Sequence, residues 1–553
     1  MQRRDSWLFF IICVSCLLVM LPRILSAQFG LLDDAVLLLN AEQSITDLDS
    51  ILHQFRAAGR FLPTTALLRG FVFSFSGFSP FRWYIWSTFE LMAICLVLAY
   101  IARRHGFSIL QALLSVLFFL ASPTMIENFY TLSKSEIPML LFISSAILLA
   151  SSYRSAQNQF TKIMIMILCF ILLLIAYGTK ETLIVLPFIF LSWPAISWIY
   201  AKKAGEDQVS WQSDMILLVG SVIGGILYWV AQSMLGYSSQ TTYAEGYQLF
   251  NAQKMLFNFL TLLGWLIRDY PYLLPLLISA FLLKPIREAG YLVFTVRWMI
   301  WMIAWLAILL PWYYLSYYFL PFLFGGALFS GAILGKMLEL LRFKEVLSLT
   351  GDSKNSPYMP VTISRKWLWG CCITASLLVI PPAINANAYA KEQLTFDKAN
   401  WQIVEQVRSL PANSQLFLNI PPEAEYFYEF QLYVSEIYGR PDIKIKACQP
   451  LISLPSGKDI YVASPIFLYQ VLPRVRALNG PSIMEWRQSL NGLIEGSELI
   501  YSTRIRGPVL DIGFHRMLSF LKIGDMIGDS DRNMFVATTI DYGWDLWKYS
   551  SSE

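Results

Sequence analysis

Apolar segments of roughly 17 to 25 residues recur from position 7 to about position 384, and each is long enough to cross ~30 Å of hydrocarbon. No other feature constrains the chain as much. A soluble domain carries roughly a quarter charged residues, whereas here 14% are charged and 56% hydrophobic. Most of the chain is therefore built for lipid. The net charge of +4 is spread along the sequence rather than gathered in a run, which argues against a nucleic-acid partner.

Eleven spans are expected, at about 7–25, 84–101, 107–123, 137–152, 161–177, 182–200, 214–232, 270–283, 298–312, 318–335 and 367–384. Cytoplasmic loops retain Lys and Arg. Placing the N-terminus in the cytoplasm puts Arg3, Arg4, Arg103, Arg104, Arg154, Lys162, Lys202, Lys203, Lys284, Arg287, Arg297 and the cluster from Lys336 to Lys366 inside. The opposite loops then hold Arg56, Arg60, Arg69, Arg82, Lys134, Lys180, Lys254 and Arg268. An odd number of spans leaves everything after residue 385 outside. A cleaved signal peptide is the alternative for the first stretch, with Arg3 and Arg4 ahead of it and small Ser26-Ala27 behind, but Trp7 to Leu25 is long for a signal core. Cys13, Cys16, Cys95, Cys169, Cys371 and Cys372 fall in apolar spans, which leaves Cys448 alone in the tail and without a partner there for a disulfide.

The expected organisation is an all-α polytopic membrane domain, residues 1–389, followed by an extracytoplasmic soluble α/β domain, residues 390–553. Two external loops are too long to be mere connections. Residues 26–83 hold amphipathic stretches at 35–43 and 64–75 suited to the interface, and residues 233–269 interleave Tyr243, Tyr247, Phe250, Phe257 and Trp265 with polar groups. The tail alternates short apolar runs at 415–420, 460–463, 499–502 and 534–539 with a helical pattern at 401–410, the mark of a mixed α/β fold. Its aromatics Trp401, Tyr426, Tyr428, Tyr433 and Trp486 read first as core; stacking on sugar rings is the functional alternative. The loop 341–365 reads as a linker.

Ionisable residues at the ends of spans cost free energy unless solvated or paired, so they are the leads to function. Asp33-Asp34 follows the first span, and an N-cap for the helix beginning at Ala35 is the plain explanation; one Asp suffices for that, and there are two. Ser133-Lys134-Ser135-Glu136 enters the fourth span with the spacing of a capping box. Thr179-Lys180-Glu181-Thr182 joins the fifth and sixth spans, and Lys180 and Glu181 read plainly as a neighbouring pair at a turn. In this threading all of them reach the outer face, where Arg60 and Arg268 join them from the long loops. Carboxylates and cations around one cavity at the lipid boundary suit transfer of a sugar from a lipid phosphate: a carboxylate activates the acceptor hydroxyl, and fixed positive charge receives the leaving phosphate.

The chain resembles the GT-C glycosyltransferases, particularly the group of protein O-mannosyltransferases and the aminoarabinose transferase. The resemblance covers roughly residues 1–335. It is carried by the acidic pair Asp33-Asp34, the stretch Gly59-Arg60-Phe61-Leu62-Pro63, Glu136 entering the fourth span, the turn Thr179-Lys180-Glu181-Thr182, and the Tyr-rich run from Tyr313 to Pro321. It implies a polyprenyl-phosphate sugar donor, Asp33 as catalytic base, and Asp34 positioning the acceptor or helping to hold a divalent metal ion. It further implies Arg60 and Lys180 on the carrier phosphate and Glu136 orienting acceptor or sugar, with Lys134 and Glu181 beside them. The family's Tyr-Pro run often begins with Arg; here Ser316 or Tyr317 stands there, which shifts the phosphate contact toward Arg268. An inverting displacement in a bacterial inner membrane is the implied reaction, with a glycan, lipid or protein as acceptor. His53, His105 and His515 lie in separate regions, against a His-based metal centre. The rival readings are a transporter or flippase for lipid-linked sugars, which calls for paired repeats and charges at mid-span depth, and a ligase or polymerase of lipid-linked glycans.

Overall fold

The computed structural model of the protein describes residues 3–31, 34–47, 49, 61–132, 134–204, 211–234, 252–282, 289–311, 316–350, 365–420, 425–448, 459–467, 488, 490–492, 494–509 and 538–549. Within them, nine helices are long and apolar enough to cross a membrane, and a tenth crossing is counted if a bent pair serves as one. This is an integral membrane protein. At 270–283, where one of about eleven spans is expected, the described helix Leu273–Leu282 has ten residues. At 1.5 Å per residue it covers ~15 Å, half the hydrocarbon thickness.

Local sequence sets the helix ends. Ser108 opens Ile109–Leu120 with a capping box, its hydroxyl accepting from the Gln111 N–H (3.3 Å) while the Gln111 side chain accepts from the Ser108 N–H (2.8 Å). Asn158 caps Gln159–Tyr177 through the Thr161 N–H, 2.7 Å. Pro80 occupies the first turn of Pro80–Arg104, where a missing N–H costs nothing. The third span breaks at Ala121-Ser122: Pro123 starts a short helix, Pro123–Phe129, bent by 67° from Ile109–Leu120.

The centre of the bundle is the span Tyr317–Leu341, 94% buried inside the protein. It is held tightly because Gly331 and Gly335, one turn apart, face Ile109–Leu120: a Cβ on Gly331 would lie 2.4 Å from the backbone N of Ser115, and one on Gly335 would lie 2.3 Å from Gln111 Cγ. This small-xxx-small pattern is how membrane helices approach closely where no hydrophobic driving force acts between them. Gln111, buried at the same crossing, donates to the Ala332 carbonyl (2.9 Å) and to the Tyr291 hydroxyl (2.8 Å). At the far end of the bundle, Asp214 and Arg297 form a buried ion pair that also engages Ser197.

The loop stretches read as amphipathic are the helices Asp34–Thr46 and Pro63–Ser76. After a turn at 378–379, the membrane helix Arg365–Leu377 is followed by Ile380–Arg408, which runs into the C-terminal region, so the expected boundary at 389/390 falls inside one helix. Beyond it lies a five-stranded sheet with the order β2-β1-β3-β7-β4, where β1 is Gln415–Leu418, β2 Lys444–Ala447, β3 Ile460–Pro465, β4 Glu498–Ser502 and β7 Trp544–Tyr549. β1 runs parallel to β2 and β3, and β7 antiparallel to β3 and β4. β5 (Ile505–Val509) and β6 (Thr538–Tyr542) form a separate antiparallel pair. One face of the large sheet buries Leu416, Leu418, Tyr461 and Leu546 together with Val404 and Val407 of the long helix and Phe29, Leu31, Leu37 and Leu38 of the stretch that follows the first span. The C-terminal region and that loop thus share one hydrophobic core. Of the tail's aromatics, Trp401 packs on Phe29, Tyr433 and Tyr438 within it, Tyr428 is exposed, and Trp486 lies outside the described residues.

Gly331→Ala is expected to lower stability by about 1–3 kcal/mol, seen as a lower melting temperature of the detergent-solubilised protein. Gly370→Ala, where an added Cβ meets open space, leaves the melting temperature undiminished.

Candidate functional site

The residues expected at the site gather at one end of the bundle, in three neighbouring groups. Asp33 and Arg60 lie outside the described residues.

The first group surrounds Asp34. Its carboxylate is buried and accepts from the Gly30 N–H at 2.7 Å, and its other oxygen has no hydrogen-bond partner among the described residues. Arg23, at the end of the first span, pairs with Asp397 of the long helix at 2.5 Å and lies over the Tyr84 ring at 4.1 Å. Glu429 reaches in from the C-terminal region, accepting from the N–H groups of Ala35 (2.7 Å) and Val36 (3.3 Å). The orphan donors of the helix Asp34–Thr46 are therefore satisfied by a residue 394 positions away. Asp34 is turned into protein, under the C-terminal region. Sequence reasoning missed Arg23, Asp397 and Glu429; only Arg23 carries a signal, being a lone cation within an apolar span.

The second group contains Lys134, Glu136, Lys180 and Tyr317. Lys180 forms a buried ion pair with Glu136 at 2.8 Å and lies 4.8 Å from the centre of the Tyr318 ring. Lys134 lies 4.1 Å from the centre of the Tyr317 ring and is half-buried, with no ion pair among the described residues. The two tyrosine rings are 4.4 Å apart, so two ammonium groups rest on adjacent aromatic faces. The turn bearing Lys180 is fixed by the start of Pro63–Ser76: Thr64 donates its N–H to Gly178 O (3.0 Å) and Thr65 its hydroxyl to Thr179 O (3.1 Å). Glu181 begins the adjoining short helix Glu181–Val185 and is half-buried.

Glu127, on the bent segment, was also missed. It is half-buried, and its charge reaches both Tyr317 and Tyr389. The neighbouring Asn128 donates to the Tyr317 carbonyl at 3.1 Å. The signal was present, since Glu127 is the one acidic residue between His105 and Leu132.

Arg268 belongs to the third group. Its Nε and Nη2 make a bidentate pair with Asp269, at 2.8 and 2.7 Å, and both residues are buried. That edge of the guanidinium is committed to a carboxylate. The nearby Tyr270 hydroxyl bonds Thr124 at 2.6 Å.

Asp34, the expected ligand, shares its surroundings with Asp397 and Glu429, but Arg23 supplies the positive charge there. Among the described residues no group of three suitable side chains gathers.

Burial raises the Asp34 carboxyl, with Asp397 and Glu429 adding to the effect and the Gly30 N–H and Arg23 opposing it; the result is about 8 against an ordinary 3.8. The folded protein thus holds a proton that the unfolded chain releases. The stability this supplies is complete below about pH 4 and lost as pH rises to about 8. Asp34→Asn should flatten that dependence by on the order of a few kcal/mol: between about pH 5 and 8.5 the variant's melting temperature falls less than that of the unmodified protein.

The sequence matches no family profile and no curated protein. Among solved structures the chain is similar to ArnT from Cupriavidus metallidurans bound to undecaprenyl phosphate, with 12% identity and a TM-score of 0.44 over 86% of this chain and 97% of that one. It is similar also to the oligosaccharyltransferase AglB from Archaeoglobus fulgidus in complex with an inhibitory peptide and a dolichol-phosphate, with 12% identity and a TM-score of 0.43 over 85% and 70%. The Archaeoglobus fulgidus oligosaccharyltransferase with Zn and sulfate matches at 11% identity and a TM-score of 0.45 over 97% and 88%. Likeness of this order assigns neither substrate nor mechanism to this chain.

Proposed function

We propose that this protein is a membrane glycosyltransferase that moves a sugar from a polyprenyl-phosphate carrier to an acceptor hydroxyl, with inversion, on the extracytoplasmic face. The single observation that supports this best is the pair of lysines, Lys134 and Lys180, resting on adjacent tyrosine rings beside Glu136 and Glu127 at the end of the bundle. A cation against an aromatic face gains about 0.5–2 kcal/mol, which holds both ammonium groups in place ahead of substrate. Lys180, neutralised by Glu136 when the site is empty, and Lys134, without an ion pair among the described residues, together offer two positive charges to one phosphate.

In this reading Asp33 takes the proton from the acceptor hydroxyl. The hydroxyl oxygen attacks the anomeric carbon, the bond from that carbon to the phosphate oxygen breaks, and the electron pair leaves with the polyprenyl phosphate. Lys134 and Lys180 stabilise the charge that develops there, with Arg60 assisting. Glu136 and Glu127 orient the sugar or the acceptor, and Glu181 borders the same turn. One base opposite a phosphate leaving group requires no covalent intermediate. The N-terminus is cytoplasmic in this proposal, in keeping with Arg103, Arg104, Arg154 and Lys162 at the far ends of the spans, and the membrane is a bacterial inner membrane.

The test is release of carrier from radiolabelled polyprenyl-phosphate sugars by the protein in liposomes, with glycan, lipid and peptide hydroxyl acceptors in separate arms. Asp33→Asn should lower kcat roughly 10²- to 10⁴-fold. Lys134→Gln should raise the KM for the carrier about tenfold, equivalent to about 1.4 kcal/mol. Absence of release from every carrier, or full activity in Asp33→Asn, would overturn the proposal.

A further inference from the structure

The chain on either side of Asp34 is held by one helical face of the C-terminal region. On one flank the Tyr433 hydroxyl donates to the Gly30 carbonyl at 3.0 Å. On the other the Glu429 carboxylate accepts from Ala35 and Val36. Glu429 lies on the helix Glu425–Leu432, and Tyr433 opens the π-helical turn Tyr433–Ile437 that continues it. Four positions apart, the two residues share a face. Both are fully buried, so these contacts are not loosened by competing water. Between the two gripped flanks, Gly30 and Asp34 close on each other through the 2.7 Å bond from the Gly30 N–H. Gly30 itself has little room, since a Cβ there would meet an Asp397 oxygen at 3.2 Å and an Asp34 oxygen at 3.4 Å.

We propose that Glu429 and Tyr433 are positioning residues for the transfer reaction, fixing the segment 30–36 that carries the acidic pair, so that the C-terminal region is a working part of the active site rather than an appendage. This rests on the reading of Asp33 as base. A carboxylate at the amino end of Asp34–Thr46 satisfies donors that the helix cannot satisfy itself and meets the positive end of its dipole. The tyrosine tethers the preceding turn. Two anchors on opposite sides of a short segment restrain its rotation as well as its displacement, and a misplacement of about 1 Å at a reacting group can cost 10²-fold in rate. The groups facing Asp34 are Arg23, Tyr84, Asp397, Glu429 and Tyr433, drawn from four separate elements; neutralising Glu429 changes the charge balance among them without touching the lysines.

The experiment compares Glu429→Ala, Glu429→Gln and Tyr433→Phe with the unmodified protein, by amide hydrogen exchange and by carrier release. Exchange of peptides covering 30–36 is expected to speed at least tenfold in Glu429→Ala and Tyr433→Phe, with strands β1 and β3 protected as before, which shows that the C-terminal region remains folded. Glu429→Gln, retaining one acceptor oxygen, falls between. kcat is expected to drop at least tenfold while KM for the carrier stays within twofold, because the lysine site is untouched. The pH dependence of the melting temperature of Glu429→Gln should shift toward lower pH as a negative neighbour of Asp34 is removed. Unaltered exchange at 30–36 in both Glu429→Ala and Tyr433→Phe overturns the proposal, as does faster exchange with unchanged kcat. If the unmodified protein releases no carrier, the transferase reading and the catalytic half of this inference fall together, while the exchange data alone decide whether the two residues hold the segment.

Discussion

One end of the membrane bundle depends on one buried contact, the ion pair between Arg23 and Asp397. Removing a guanidinium and a carboxylate from water costs several kcal/mol each, and mutual attraction offsets this only when remaining donors and acceptors are also met. Here the Arg23 guanidinium lies over Tyr84, bonds its hydroxyl, and donates to the Gln28 carbonyl at 3.2 Å. The Tyr84 hydroxyl in turn donates to the carbonyls of Gln28 (3.3 Å) and Tyr130 (3.4 Å). The first span, the second span, the bent third span and the long C-terminal helix are thereby joined at one point. Breaking such a pair by removing one member costs about 3–5 kcal/mol, comparable with a good part of a typical domain's stability.

That junction explains why the membrane part of the fold was legible in the sequence and the junction itself was not. Helices in lipid must satisfy their backbones internally, so length and apolarity alone locate spans such as Pro80–Arg104 and Gln159–Tyr177, and Ser108 and Asn158 mark two of the starts. The described helix Leu273–Leu282 has the apolarity of a span in ten residues. The bend at Pro123 was invisible to hydropathy because both halves are apolar, and it is the bend that turns Glu127 toward Tyr317. In the C-terminal region, runs such as Ile460–Pro465 stand out because every residue is buried. β2 escaped because Lys444 and Lys446 alternate with Ile445 and Ala447 along an exposed sheet edge, and β7 escaped because Asp545 and Lys548 interrupt its buried Trp544 and Leu546.

The site was legible to the extent that charge at a span end is conspicuous. Lys134, Glu136, Lys180 and Tyr317 do come together, because each is the polar residue nearest the end of an apolar run. The partners of Asp34 were not legible. Asp397 and Glu429 lie in stretches with ordinary numbers of charges, and nothing within those stretches ties them to a loop more than 360 residues earlier. Arg268 shows the converse error: the sequence displays the cation, and the carboxylate beside it in the chain was not taken as its partner. Adjacent residues seldom face each other on a helix; Asp269 is the last residue of its helix, and there the pair closes in a bidentate bond.

The shared core decides how far the two regions can act independently. Were the C-terminal region a separate body on a linker, its sheet would close over its own side chains and the membrane helices would end in lipid or water. Instead Leu31, Leu37 and Leu38 of the stretch after the first span are buried against the same sheet face as Leu416, Leu418 and Leu546, and the helix Ile380–Arg408 passes from one region to the other without a break. Each fully buried leucine is worth about 1.5–3 kcal/mol relative to exposure, so exposing these few side chains would cost more than most single ion pairs return. Relative motion of the two regions is restrained by the same contacts that seat Asp34, and any ligand that shifts the C-terminal sheet must also move the loop that follows the first span.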